Sequence, residues 1–446
     1  MLMHRGTRSV FAGSALALAL AGCVAPIDGA ETVDSVAQAA STYSVGPGKQ
    51  YTTLQAVASL LKPGDTVMVD GNATYAGGVR FTKAGTATSK IKIVGTTING
   101  RRPVISGGTN GVELAGNHYI LENFEVTGSS SRCVYHHADD ITIRGAVIHD
   151  CPSHGLLGAD SGSGSLTLEY SEVYRSGSGD TRHQIYMATD ETAYPGSVFR
   201  MQHCYVHDGN GGNNVKSRAE RNEIYYNWIE GAYYHEVELI GPDGQDETLA
   251  REDSDVVGNV LYQGYPTRSH YAVRIGGDGT GQTKGRYRFL GNTLVLGNAT
   301  TSAAFRLFDG IESLELNDNA VYRQGGGPVT FLRDAEAAWT HGQQIAGKAN
   351  WVTLGSNSIP SGLTYTRQAN SPGFADVAGR DVRLTSTSPL RNTGTGVLGV
   401  VTAYPFPSPL LEAVKQPPLH QLLPLDGALT RVPVSTLDIG AFEYGN

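Results

Sequence analysis

The sequence has few charged residues and no cluster of basic ones. Only 17% of its 446 residues are Asp, Glu, Lys or Arg, and the formal net charge at pH 7 is −8. A nucleic-acid-binding chain would need a basic stripe or patch, so we predict no nucleic-acid partner. An acidic polysaccharide can still bind a chain of negative net charge, but only through a local positive patch.

Long apolar segments are also missing. The N-terminal apolar run at residues 15–21 follows Arg5 and Arg8, as in an export signal, and it is too short to cross a membrane as a helix. The run ends in the sequence LAGC at residues 20–23, which resembles a bacterial lipobox. The resemblance implies that Cys23 is lipidated and anchors the protein at the outer membrane or cell surface. The alternative is an ordinary cleaved signal peptide with an incidental cysteine.

Composition divides the chain into four parts. Residues 1–22 are the predicted signal peptide, and residues 23–43 are small, polar and acidic, as in a flexible tether. Residues 44–335 carry a strand-sized repeat. Residues 336–446 include Pro-rich segments, and we expect them to form the last rungs and a cap. Because a repeat array grows by adding units rather than domains, we predict one repeat body, present as a monomer.

Cysteine is scarce and lacks the spacing of metal ligands. Beyond Cys23, the chain contains Cys133, Cys151 and Cys204. An odd number in an oxidising compartment means that at least one thiol is free or pairs with another chain. We expect buried small side chains at these positions. The spacing leaves the pairing open.

The main feature of the chain is a four-residue phrase, in which a small polar residue and a variable residue precede two mostly apolar residues and a turn. Its copies return at irregular intervals, which indicates a coil with constant rungs and variable loops. Asn-Gly hairpin signals are sparse, so we predict an all-β, single-stranded right-handed parallel β-helix, a solenoid. The copies begin at Asn123, Gly145, Ser171, His203, Asn227, Asn259, Asn292 and Asn319.

Two further patterns fit a capped solenoid. The asparagine at the head of the last four copies predicts an internal stack of amides, each bonding to the next rung. Residues 51–61 have helical periodicity and precede a strand at residues 66–69, which resembles the amphipathic N-terminal cap of parallel β-helices. The apolar face of this predicted helix consists of Leu54, Val57, Ala58 and Leu61.

A second phrase, apolar then outward then apolar, precedes each copy of the first. Side chains alternate along a strand, so the middle residues should form one outward column whose members are about 4.8 Å apart. This predicted column consists of Glu113, Tyr135, Leu157, Tyr186, Lys216, Glu238, Arg274, Arg306 and Thr330.

Other polar residues flank this column. Arg218 follows Lys216 on the same strand, and insertions at 188–197, 240–254 and 276–286 should form walls that make the column a groove. Two positions before the column are Gln184, Asn214 and Glu236. At the strand entry are His183, Asn213 and His235. Convergence of these residue types on one face predicts a functional site, although exposed sheets also carry alternating charges without function.

The segment at residues 213–218 and the strand at residues 222–227 resemble the Lys-Ser region of chondroitinase B-like and alginate-lyase-like polysaccharide lyases. The resemblance implies that Lys216 is the catalytic base. The family's acid is an Arg on the next rung, where this chain has Glu236 and Glu238 instead. The motifs HQIY at 183–186 and NVKSR at 214–218 also resemble a wider group of secreted bacterial β-helix proteins.

These patterns predict a polysaccharide lyase that cleaves a uronate-containing glycan by β-elimination, which needs a base for the C5 proton and positive charge at the carboxylate. The candidate catalytic residues are Lys216, Arg218, His183, Tyr186 and Arg274. The candidate substrate-binding residues are Gln184, Asn214, His235, Glu236, Glu238 and Arg306. Calcium is a candidate cofactor, with candidate ligands at Asp208, Asp243 and Asp246. The alternatives are a non-catalytic glycan-binding or envelope lipoprotein, a polygalacturonase-like hydrolase and a C5-epimerase.

Overall fold

The structure, a computed structural model, describes residues 39–241, 253–263, 271–277, 285–297, 303–308, 310–334, 344–406 and 411–445. Residues 40–446 form one compact unit. Within the described ranges, no helix has the length and hydropathy needed to cross a membrane. The predicted signal peptide, Cys23, most of the tether, Asp243 and Asp246 lie outside the described residues.

Three long parallel sheets run along the chain, and each turn of the coil adds one strand to each sheet in the order A, B, C. Strands are numbered in chain order. Sheet A contains β1 Thr42–Val45, β2 Thr66–Val69, β5 Ile91–Gly95, β8 Tyr119–Glu122, β11 Ile141–Arg144, β14 Leu166–Glu169, β17 Val198–Gln202, β20 Arg221–Tyr225, β23 Asp253–Val257, β26 Arg286–Leu290, β29 Ser313–Asn317, β32 Ile345–Lys348 and β34 Leu363–Thr364.

Sheet B contains β3 Thr74–Ala76, β6 Val104–Ser106, β9 Glu125–Thr127, β12 Val147–His149, β15 Glu172–Tyr174, β18 Tyr205–His207, β21 Trp228–Glu230, β24 Val260–Tyr262, β27 Thr293–Leu296, β30 Ala320–Arg323, β33 Trp351–Thr353 and β35 Arg367–Ala369. Sheet C contains β4 Val79–Phe81, β7 Asn110–Leu114, β10 Arg132–His136, β13 His154–Gly158, β16 Ile185–Ala188, β19 Val215–Arg218, β22 Val237–Leu239, β25 Tyr271–Ile275, β28 Ala303–Leu307 and β31 Thr330–Asp334. The prediction of an all-β parallel solenoid is confirmed.

The repeated phrase lies at the bend between sheets A and B and in the strand of sheet B. The predicted register is wrong by one residue in three copies, because Val147 pairs with Glu172 and Tyr205 pairs with Trp228. In these three copies the polar or small residue at the head of the phrase forms the bend itself. Asn123 has a φ of 62° and Gly145 a φ of 60°, in the left-handed region that Asn and Gly adopt most readily. A small polar residue therefore marks the bend in these copies and the inward position in others.

The predicted amide stack is present inside the coil. The Nδ2 groups of Asn227, Asn259 and Asn292 each donate to Oδ1 of the next asparagine at 2.9–3.0 Å. The stack extends one rung further than predicted, because Asn319 donates to Asn350 at 3.1 Å. These bonds satisfy polar groups that the apolar interior would otherwise leave without partners.

The N-terminal end of the coil carries the short helix α1, Leu54–Ala58. Its N-cap is Thr53, whose Oγ1 accepts from the backbone N–H of Ala56 at 3.3 Å. All four residues of the predicted apolar face are buried, and the predicted strand is β2. The helix is shorter than the periodicity predicts.

The C-terminal segment packs on the outer face of sheet B. Val382 and Phe442 join an apolar cluster with Trp228 and Tyr262 of that sheet. Strands β36 Phe374–Asp376 and β37 Asp381–Leu384 form an antiparallel pair in this segment. The outer face of sheet C is the one with the predicted polar column.

The cysteines are buried as predicted, but two of them are not free thiols. Cys133 and Cys151 form a disulfide, whereas Cys204 is a buried free thiol. Burial raises the pKa of the Cys204 thiol to about 12, so it stays protonated and unreactive at neutral pH.

Candidate active site on the outer face of sheet C

The predicted column on sheet C is correct over eight rungs. Strand pairing places Tyr186 opposite Lys216, and Lys216 opposite Glu238. Its last member is Arg333 rather than Thr330, because Arg306 pairs with Arg333. The sequence could not distinguish these two registers, because an apolar residue stands next to each candidate: Phe331 follows Thr330, and Leu332 precedes Arg333. Both apolar residues are buried.

Lys216 lies at the centre of this column. Its Nζ is 3.5 Å from Oε2 of Glu238 and 5.5 Å from the centroid of the Tyr186 ring. Lys216 is thus held between a carboxylate on the next rung and an aromatic face on the previous one. Both contacts follow from the rung spacing of about 4.8 Å.

Tyr186 has a protonated hydroxyl group beside Lys216. Its hydroxyl donates to Oδ1 of Asp160 at 3.1 Å. Burial, together with the carboxylate of Asp160, raises the pKa of Tyr186, and the Arg218 guanidinium acts in the opposite direction. Arg218 lies on the same side of the strand as Lys216, is buried, and donates from Nη1 to the carbonyl of Gly241 at 2.8 Å. Tyr186 can therefore donate a proton at neutral pH.

Glu238 contacts polar residues on both neighbouring strands of sheet C. Its Oε2 accepts from Nδ2 of Asn213 at 2.5 Å, and its Oε1 is 3.2 Å from Nε of Arg274. Arg274 also donates to the carbonyls of Gly276 and Gly277 at 2.9 and 2.7 Å. Arg274 is therefore fixed in place, and its charge is offset by Glu238.

His183 stands at the entry of its strand, beside the ring of Tyr186, with ring centroids 5.7 Å apart. Its Nδ1 accepts from the backbone N–H of Asn213 at 2.9 Å, so the proton of the neutral ring is on Nε2. Burial and then the Lys216 cation lower the pKa of His183 well below its ordinary value. His183 is therefore a neutral hydrogen-bond donor and not a base. A Cβ at Gly212 would lie 2.2 Å from Nδ1, so the ring depends on glycine there.

The strand-entry column contains more residues than the sequence motif indicated. Nδ1 of His154 accepts from the backbone N–H of His183 at 3.0 Å, one rung before it. On the other side, Oδ1 of Asn213 accepts from the backbone N–H of His235 at 3.0 Å. The alignment of the second phrase already included Leu157 of β13, and its strand-entry position three residues earlier is His154, whereas nothing in the sequence pattern indicated Asp160.

Gln184, Asn214 and Glu236 lie inside the coil, not in the groove. Gln184 donates to Oδ1 of Asn214 at 2.8 Å, and Asn214 donates to Oε2 of Glu236 at 2.7 Å. All three are buried. The prediction that these three residues contact a glycan is therefore wrong, because a ligand in the groove cannot reach them. They form a second polar ladder that fixes the turns from which His183, Asn213 and His235 enter sheet C.

We expect Glu236→Gln to fold normally and to become more stable relative to the wild type as pH rises. Burial raises the pKa of Glu236 well above its ordinary value, so the folded state keeps its proton. The stabilisation from that proton is complete below the unfolded pKa and is lost as pH rises towards the folded pKa, by up to about 1.4 kcal/mol per pH unit. Urea unfolding of both proteins at pH 5 and pH 8 measures the difference. A gap that does not grow with pH would show that Glu236 is ionised in the folded protein.

The structure does not place the calcium candidate Asp208 near Lys216. Asp208 follows β18 of sheet B, is exposed, and contacts Nδ1 of His207 at 2.9 Å. Within the described ranges, no group of three or more His, Cys, Asp or Glu residues is arranged to hold a metal ion. Calcium dependence stays a prediction.

Comparison with known proteins identifies the fold. No family model and no curated protein matches the sequence. Among solved structures, pectate lyase Pel9A has a TM-score of 0.55 at 14% identity, over 90% of this chain and 96% of that chain. An alginate lyase from Paenibacillus sp. str. FPU-7 has a TM-score of 0.44 at 18% identity, over 67% of this chain and 99% of that chain. The three parallel sheets and the likeness to Pel9A together show that this chain has the pectate-lyase-like parallel β-helix fold.

Proposed function

We propose that the protein is a polysaccharide lyase that cleaves an acidic, uronate-containing glycan by β-elimination. The observation that carries this proposal is the register of Lys216, which stands between the protonated Tyr186 and Glu238 on an outward face, with Arg218 beside it. An amine, a phenol and a guanidinium on adjacent rungs supply the three groups that the reaction needs.

Each proton that moves in the reaction has a residue that accepts or donates it. Lys216, as the free amine, accepts the C5 proton, and the electrons of that C–H bond form the C4–C5 double bond. The C4–O4 bond breaks, and the hydroxyl of Tyr186 protonates the departing oxygen. Arg218 offsets the negative charge that grows on the uronate carboxylate. His183 donates through Nε2 to a sugar oxygen and orients the ring.

Non-catalytic glycan binding is the second candidate, and the ion pairs of the site favour it. Glu238 offsets the charge of Lys216 at 3.5 Å and that of Arg274 at 3.2 Å. A face whose charges are balanced in this way can hold a glycan without reacting with it. The two candidates differ in one product, the unsaturated uronate that only a lyase releases.

Location and cofactor are part of the proposal. We propose that Cys23 carries a lipid and that the protein acts as a monomer at the outer membrane or cell surface. Calcium is proposed as an aid to binding the uronate carboxylate, a task that suits a hard cation with oxygen ligands. Radiolabelled palmitate incorporation in the producing cells, lost in Cys23→Ala, would test the anchor.

A substrate screen tests the function directly. Purified protein lacking residues 1–23 is incubated with pectate, alginate, chondroitin and the producer's own exopolysaccharide, with calcium or with a chelator. We expect ultraviolet absorbance from unsaturated uronate with at least one of these glycans. Binding of a glycan without any absorbance change would favour the non-catalytic candidate.

A further inference from the structure

The outer face of sheet C carries three arginines on consecutive rungs beyond Glu238. The register pairs Arg274 with Arg306 and Arg306 with Arg333, so these residues repeat at the rung spacing of about 4.8 Å. Like charges directly opposite each other on neighbouring strands destabilise a sheet. Such a column needs either acidic neighbours or a bound anion.

Only the first of these arginines has an acidic partner in the described part of the chain. Arg274 contacts Glu238 at 3.2 Å. Arg306 has neither an ion pair nor a hydrogen bond to a described residue, and its Nε is buried without a partner. Arg333 is exposed and donates from Nη1 to the hydroxyl of Tyr271 at 2.7 Å. The charges of Arg306 and Arg333 are thus not offset by a carboxylate of the described protein.

Aromatic rings hold Arg306 in position without using its donors. Its guanidinium carbon is 4.9 Å from the ring centroid of Tyr271 and 4.4 Å from that of Phe308. Stacking of this kind orders a planar guanidinium and leaves its N–H groups available. An ordered arginine with available donors is suited to a carboxylate or sulfate, which it can bind through two parallel hydrogen bonds.

We propose that Arg306 and Arg333 bind a carboxylate or sulfate of an acidic glycan that lies along the solenoid axis, at three and four rungs from Lys216. The position rests on the proposed function, because Lys216 defines the reacting sugar. Three rungs correspond to roughly 14 Å. A pyranose in an extended chain is about as long as one rung of ~4.8 Å. The glycan therefore extends at least three sugars beyond the reacting one, and a tetrasaccharide is the shortest that reaches from Lys216 to Arg306.

Binding measurements in a background that cannot turn over the glycan test this site. Calorimetry with Lys216→Met protein uses galacturonate, alginate and chondroitin sulfate oligosaccharides of two, four and six residues, which separates carboxylate from sulfate recognition. Adding Arg306→Gln should weaken binding of the longer oligosaccharides roughly tenfold and leave the disaccharides unchanged. Arg306→Lys, which keeps the charge but not the fork, should give a smaller loss. Arg200→Gln is the matched control, because Arg200 lies on sheet A and pairs with Glu223.

The outcomes separate this site from the proposed function. The site is overturned if Arg306→Gln changes nothing, if Arg200→Gln causes an equal loss, or if no acidic oligosaccharide binds. Length-dependent loss in Arg306→Gln supports the site even where the wild type releases no unsaturated product, a result that contradicts only the lyase proposal. Thermal unfolding should show Arg306→Gln at least as stable as the parent, because it removes a like charge from the column.

Discussion

Replacement of Lys216 by methionine is expected to reduce release of unsaturated uronate by about 10²–10⁴-fold, the range typical of losing a positioned base. Methionine keeps an unbranched apolar stem against the ring of Tyr186 but has no amine. The measurement is the initial rate of ultraviolet absorbance increase on whichever glycan the screen identifies. Lys92→Met is the matched control, because Lys92 is an exposed lysine of sheet A, and it should retain full activity.

A second substitution at the same position distinguishes catalysis from binding. Lys216→Arg keeps a cation beside Glu238 but removes the amine that accepts the C5 proton in the proposed reaction, because a guanidinium does not lose its proton in proteins. If Lys216 is the base, this variant binds the glycan and releases no product. Wild-type activity in Lys216→Arg would show that only the charge matters, and Lys216 would then be a binding residue.

Much of this fold could be predicted from the sequence because every rung of a solenoid has a similar pattern of buried and outward residues. Each rung must bury an apolar residue on either side of an outward one, so aligning the second phrase placed Tyr186, Lys216 and Glu238 on one face without any structure. The asparagine stack could be predicted for the same reason. A buried amide in a strand-rich coil needs partners, and the rung above supplies them.

The parts of the site that the sequence did not predict depend on geometry across the column. The alternation rule cannot tell a groove residue from one at a bend, so Glu236 seemed to be outward although it is buried at the turn. The contact from Tyr186 to Asp160 joins residues 26 positions apart through a loop of variable length, for which no repeat exists. Likewise Arg306 appears in the sequence as an ordinary charged residue, and only the structure shows that its Nε is buried and has no partner among the described residues.

Asn292→Ala should lower the stability of the coil by roughly 3–5 kcal/mol, because it leaves several buried polar groups unsatisfied at about 1–3 kcal/mol each. Oδ1 of Asn292 accepts from the backbone N–H and from Nδ2 of Asn259, at 2.9 and 3.0 Å. Its Nδ2 donates to the carbonyl of Val256 at 2.8 Å and to Asn319 at 2.9 Å. Urea unfolding measures the loss, with the exposed Asn357→Ala as a control expected to change stability by less than about 0.5 kcal/mol.

The isosteric substitution Asn292→Asp separates the hydrogen-bond ladder from simple packing. Aspartate keeps the volume and the acceptor towards Asn259, but it has no N–H for Val256 or Asn319, and it would bury a carboxylate against two acceptors. We therefore expect Asn292→Asp to be at least as destabilising as Asn292→Ala at neutral pH, and to recover partly in acid, where the carboxyl group is protonated and can donate. Hydrogen exchange should show local unfolding first, as faster exchange at the backbone amides of Asn259 and Asn292. If Asn292→Asp is instead as stable as the wild type, the ladder contributes packing alone.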